Sequence, residues 1–258
     1  MLRPLFWRSA IVCAAVASAC SSCLADNVQR FETYVTADYS GRAAALASST
    51  VWSVFGPIDQ PGFRLKVDGF ASVNGETNAN VFSSAFMASD LKALGDVMAG
   101  YQFNWQTVWV KLYAGAAYQS QTLAFWQAGQ LVQQRSYGAT AAVETFWQGS
   151  SGLWASGNLS WLQFDDTGAF YGRVAYKMMH DSDGLTLSAG AETGAMIKNA
   201  DIYKEGRRLD LYNEYVREGA LLNFRYGRND LTISGGFARA SDESVWRPYA
   251  TISYGRKF

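Results

Sequence analysis

Cysteine, histidine, proline and long apolar runs are all scarce in this sequence. Its three cysteines, Cys13, Cys20 and Cys23, lie within the first 25 residues. If that segment is a cleaved leader, the remaining chain has no disulfide, thiolate metal site or cysteine nucleophile. His180 is the single histidine, so any histidine-dependent chemistry rests on one residue. Four prolines against 24 glycines disfavour disorder and leave room for closely approaching strands. Hydrophobic residues make up 49% of the chain. Even so, beyond the leader no run approaches the roughly 20 apolar residues that a membrane-crossing helix needs. Charge of one sign is lacking too: lysines plus arginines number 22, as do aspartates plus glutamates. Losing Arg3 and Arg8 with the leader tips the balance slightly negative, which excludes the basic footprint of a nucleic-acid partner.

What is present begins with a secretory signal. MLRPLFWR carries two arginines, SAIVCAAVASAC is apolar and small, and SSCLA offers Cys23 and Ala25 before a cut. Residues 1–25 are therefore read as leader and 26–258 as the mature domain. Ala17-Ser18-Ala19-Cys20 loosely resembles a bacterial lipobox and is the competing reading.

Beyond Asp26 the pattern has period two almost throughout. Phe63, Leu65, Val67 and Ala71 alternate with Arg64, Lys66, Asp68 and Ser72; Val108, Val110, Leu112, Ala114, Ala116 and Tyr118 form another such face. Twelve segments are expected, near 30–40, 45–55, 63–73, 95–105, 108–119, 134–147, 153–164, 169–180, 185–197, 218–227, 231–240 and 247–258. Most are too long for soluble strands, which cluster around five or six residues, and match the roughly 9 to 11 needed to cross a bilayer at a tilt. The connections segregate by parity. Residues 56–62, 106–107, 148–152, 181–184 and 228–230 are short, whereas 74–94, 120–133 and 198–217 are all in the alternate set, as in barrels with short periplasmic turns and long external loops. Leu209, Leu211 and Tyr215 alternate as well, which allows strand ten to begin earlier and rise above the membrane. The fold expected is an all-β transmembrane antiparallel barrel of about twelve strands (10 to 12) in the outer membrane of a Gram-negative bacterium. A soluble β-protein with core aromatics is the alternative.

Trp52, Phe55, Phe63, Phe103, Trp105, Trp109, Phe146, Trp147 and Trp154 flank the proposed periplasmic turns, where an interfacial girdle would lie. The last strand, YATISYGRKF, ends on Phe258, and Tyr254, Ile252 and Ala250 share its face. It resembles the terminal strand of outer-membrane barrels, and Phe258 and Tyr254 are expected at the closure of the sheet. Arg256 breaks that apolar face and can snorkel near the interface.

The inward face carries Glu32, Asp38, Asp68, Asp96, Glu144 and Glu192 beside Arg64, Lys66, Lys111, Arg173, Lys177 and Arg225. This balance suits either bracing ion pairs or a polar path for a neutral sugar polymer. Nothing in the spacing selects a glycosidase pair from the six carboxylates. His180 falls at the periplasmic rim, where a structural role is expected. The segment 119–135 is rich in glutamine around Phe125 and Trp126, the pairing of ring faces and amides that sugars bind; a loop dipping into the interface explains it equally. No Walker loop, dinucleotide fingerprint or metal-ligand cluster occurs, so neither cofactor nor metal is expected.

Several stretches resemble the cellulose biosynthesis protein BcsS family of Gram-negative bacteria: the leader, TYVTADYSGR, VWSVFGPIDQPGFRLKVDGF, and LSAGAETGAM around Gly190 and Glu192. The resemblance implies an outer-membrane component of cellulose production, acting in export or surface organisation of the polymer and not as an enzyme. Its implied partners are outer-membrane lipid, cellulose and the secretion machinery. The other readings are a general or specific porin and a lipid- or glycan-modifying enzyme.

Overall fold

The computed structural model describes residues 29–40, 43–77, 87–125, 130–180, 184–204, 207–240 and 244–258; the leader expected over 1–25 lies outside the described residues. Twelve strands, β1 (Phe31–Ser40), β2 (Ala43–Ser53), β3 (Gly62–Thr77), β4 (Met87–Trp105), β5 (Val108–Phe125), β6 (Gln130–Gln148), β7 (Leu153–Leu162), β8 (Thr167–His180), β9 (Leu185–Lys204), β10 (Arg207–Tyr226), β11 (Asn229–Ala240) and β12 (Arg247–Lys257), form one antiparallel sheet. Each pairs with its sequence neighbours, and β12 pairs with β1 to close a barrel. Closure runs from Glu32 opposite Lys257 to Ser40 opposite Tyr249. It is completed beyond the strands by Phe258, whose amide donates to the Phe31 carbonyl at 2.8 Å and whose carbonyl accepts from Arg30 at 2.7 Å. With every strand paired on both sides no edge remains, the condition for a sheet to stand in lipid.

Alternation decides the two faces. Phe63, Leu65, Val67, Val97, Leu112, Leu159, Val174, Leu222, Ile233 and Ile252 are exposed on the outside. Arg64, Lys66, Asp96, Gln102, Gln119, Glu192, Asn223 and Thr251 are buried within. An apolar exterior around a polar interior inverts the plan of a soluble domain and is the plan of a transmembrane barrel. An aromatic chain crosses the outside near the chain termini: Phe31 on Trp52 (4.9 Å), Phe63 on Tyr101 (5.1 Å), Tyr101 on Phe103 (4.7 Å) and Phe103 on Trp105 (5.6 Å).

Two sequence expectations need correction. The long connections are mostly strand, because β4 starts at Met87, β5 and β6 reach Phe125 and Gln130, and β9 and β10 reach Lys204 and Arg207. Five strands of 18 to 20 residues thus rise as tall hairpins, whereas β1, β2, β7 and β12 have only 10 or 11. The girdle assignment also fails for three rings. Trp109 lies opposite Phe146, in phase with the inward pair Lys111 and Glu144. Trp154 is in phase with Ser156 and Asn158 on β7, which line the interior. Trp109, Phe146 and Trp154 therefore face inward.

Candidate functional site

Inward residues of consecutive strands lie side by side in rows, so long charged side chains can reach over a neighbour and tie distant strands together. Two such clusters form. In the first, Lys111 of β5 donates to Glu32 of β1 and stands 3.7 Å from Glu144 of β6. Lys66 of β3 lies 2.7 Å from Glu144 and 2.8 Å from Asp68. Its amino group sits over the Tyr113 ring at 5.3 Å. Asp96 of β4 is directly opposite Asp68, putting two carboxylates in one row.

The second cluster is centred on Glu192 of β9. Its carboxylate accepts from the hydroxyls of Tyr171 and of Tyr249, the latter at 2.9 Å, and from Arg173 Nε at 3.3 Å. Arg217 of β10 is 4.0 Å from Glu192 and donates to Asp38 of β1 at 3.0 Å; Thr251 donates to the other oxygen of Asp38 at 2.8 Å. The guanidinium groups of Arg173 and Arg217 each lie 4.7 Å from the centre of the Tyr171 ring. Glycine makes this packing possible: a Cβ at Gly219 would collide with the Tyr249 hydroxyl and the Gly235 carbonyl.

Arg64 has a different task. Its side chain is buried and donates to the Ser53 hydroxyl (2.9 Å) and to the carbonyls of Phe63 (3.0 Å), Ile58 (3.0 Å) and Gln60. It thereby fastens the β2–β3 turn. Asn104 donates to the Asp59 carbonyl at 2.6 Å, and the Ile58 amide donates to the Gln29 carbonyl at 2.7 Å. The turn so held folds inward, and Ile58, only 2% exposed, packs with Val51, Met98, Tyr113 and Ala142. An apolar side chain therefore narrows the end of the barrel that carries the termini.

Of the twelve inward candidates, Glu32, Lys66, Asp68, Lys111 and Glu144 meet in the first cluster, with Asp96 alongside. Asp38, Arg173 and Glu192 meet in the second. Arg64 belongs to the turn. Arg225 stands apart in a hairpin pair with Asp230 at 3.0 Å, which also accepts from Asn223 at 2.6 Å. Lys177 is on the inner face opposite Ser188, just before a bulge that shifts the register and turns His180 to the same face as Thr186. His180 Nδ1 is 3.1 Å from the Thr186 hydroxyl. At the closure, the Tyr254 hydroxyl donates to Asn229 at 2.7 Å, and the Arg256 guanidinium lies 4.9 Å from the Phe258 ring centre. Phe125 ends β5 with its main chain opposite Gln130; Trp126 lies outside the described residues.

Sequence reasoning missed Arg217, assigned to a connection, and the tyrosines around Glu192. It also missed an inward aromatic ladder. Trp109 and Phe146 stack at 5.2 Å, Phe146 and Trp154 at 6.1 Å, and the Lys257 amino group lies 5.6 Å from the Trp109 ring centre. Phase along the strand identifies these rings, since each sits two residues from a polar inward neighbour. The ladder adjoins a cavity of about 790 Å³ that Trp109, Phe146, Ser156, Asn158 and Tyr171 help to line.

Comparison with known proteins agrees with this architecture. The cellulose biosynthesis protein BcsS family matches residues 33–257, and the chain belongs to that family. Among curated proteins none matches the chain. Among solved structures it is similar to LpxR from Salmonella typhimurium (10% identity, TM-score 0.53, 88% of this chain and all of that one). The beta domain of the Bordetella autotransporter Brka is also similar (9%, 0.51, 90% and 99%), as is the translocator domain of autotransporter NalP from Neisseria meningitidis (9%, 0.50, 97% and 96%). At such identities the likeness is one of fold.

Proposed function

We propose that this member of the cellulose biosynthesis protein BcsS family works in the outer membrane, where it exports the polymer or organises it at the cell surface. The observation that carries the reading is the family match, which spans nearly the whole barrel from β1 to the last residue of β12. The physical arrangement supports it. The exterior is suited to lipid, the interior is polar and contains a cavity, and most inward charges are engaged with one another. The role in this reading is non-catalytic, which the engagement of the inward carboxylates Glu32, Glu144 and Glu192 in ion pairs supports. Polymerisation is left to a synthase elsewhere, and the partners are outer-membrane lipid, the glucan and other components of the secretion machinery.

The test is a deletion strain in which cellulose is divided into released and cell-retained fractions, beside synthase activity in isolated membranes. The reading expects normal synthase activity with reduced external cellulose. Unchanged fractions would contradict it, and liposome swelling with sugars of graded size would then examine the porin reading.

A further inference from the structure

The inner wall is not uniform. Both ion clusters draw on β1, and between them they take charged members from β3, β5, β6, β8, β9 and β10. The inward face of β7 contributes none: in order it presents Trp154, Ser156, Asn158, Ser160 and Leu162. Ser156, Asn158, Ser160 and Leu162 line the cavity, so this uncharged stripe borders open space for most of its length. At its lower end, beside the termini, stand the stacked rings of Trp154, Phe146 and Trp109.

We infer that the β7 wall is a binding track for a neutral β-linked glucan, with the Trp109–Phe146–Trp154 ladder as its first contact and Ser156, Asn158 and Ser160 as its hydrogen-bonding rail. A β-linked glucose chain offers apolar C–H faces and a rim of equatorial hydroxyls. Aromatic rings match the faces, while hydroxyl and amide side chains match the rim because each can donate and accept. Inward side chains recur about every 6.6 Å along a strand, which supplies repeated weak contacts to an extended polymer. The stripe itself carries no charge, and the nearest charges on its flanking strands, Glu144 opposite Asn158 and Arg173 opposite Ser156, are already engaged with Lys66 and Lys111 and with Glu192; a neutral chain needs no counter-charge from such a wall. The cavity is also within the range of about 300–1,000 Å³ typical of small-ligand sites, which fits a few sugar units at a time.

The inference rests on the cellulose reading for the identity of the sugar, so the test separates the two. The full-length barrel, folded in detergent, is titrated calorimetrically with cellohexaose and with an oligogalacturonate of equal length. Cellohexaose binds and the anionic oligomer does not. Trp154→Leu and Asn158→Ala each weaken binding about tenfold or more, the loss of one well-made contact. Trp161→Leu, on the outer face of the same strand, leaves binding unchanged. Each variant must keep its gel shift between boiled and unboiled samples, so that loss of binding is not loss of fold. Equal affinity in all variants, preference for the anionic oligomer, or no binding by the parent would overturn the track. If the parent fails to bind while the deletion strain still loses external cellulose, the track falls and the export reading stands. Binding that depends on Trp154 and Asn158, in a protein whose deletion leaves cellulose unchanged, supports the track and removes the export reading.

Discussion

The hydroxyl of Tyr249 donates to the carboxylate of Glu192 at 2.9 Å, joining β12 to β9 over the two strands between them. Glu192 also balances Arg173 and Arg217. Glu192→Ala leaves Arg173 without its carboxylate and Arg217 with Asp38 alone, and removing one partner of a buried ion cluster costs about 3–5 kcal/mol. Tyr249→Phe removes one hydrogen bond and costs about 1–2 kcal/mol. Urea titration of the folded barrel should order them so. The double variant should cost less than the two losses added, because the tyrosine has lost its acceptor already.

Arg64 and Ile58 should control the width of the narrowed end. Without its guanidinium the β2–β3 turn loses its side-chain hydrogen bonds to Arg64, and Ile58 is free to leave its apolar cluster. Arg64→Ala is expected to raise single-barrel conductance in planar bilayers severalfold, and Ile58→Gly to do the same with the turn still fastened. Unchanged conductance in both would show that the turn does not limit passage.

Closure depends on the last residue. Phe258 exchanges main-chain hydrogen bonds with Arg30 and Phe31, the final links between the two ends of the sheet. Deleting it removes about three such bonds, each worth about 0.5–1.5 kcal/mol. The yield of heat-modifiable barrel should fall markedly, whereas Phe258→Tyr, which keeps the main chain and the ring, should fold normally.

Gly255 gives a reciprocal test of inward packing. A Cβ there would collide with the ring of Tyr34, which lines the cavity. Gly255→Ala should therefore destabilise by about 1–3 kcal/mol, the usual cost of overpacking. Tyr34→Ser in the same chain should return much of that loss, and denaturation of the single and double variants would measure the coupling.

The strands were legible in the sequence wherever one face meets lipid and the other meets polar side chains, because that contrast creates the two-residue period. Their ends were not. Toward Met87, Phe125 and Lys204 the strands stay paired through their main chains, and main-chain pairing above the bilayer needs no contrast between the two faces. Arg217 was lost for the same reason. Trp109, Phe146 and Trp154 sit close to turns, as girdle residues do, but phase decides which side of a sheet a residue occupies, and theirs is the inward one. The partnerships of Arg64 with the turn and of Tyr249 with Glu192 join segments 4 to 57 residues apart, and no local pattern specifies them.

The central claim, that this barrel serves passage of cellulose to the outside, is tested most directly by timing. Cells with and without the gene are given a pulse of labelled glucose, and labelled alkali-insoluble glucan is followed in the retained and external fractions. The account predicts equal total incorporation, with label delayed in the retained fraction when the barrel is absent and restored by a plasmid copy. Equal rates of external label in both strains would contradict it.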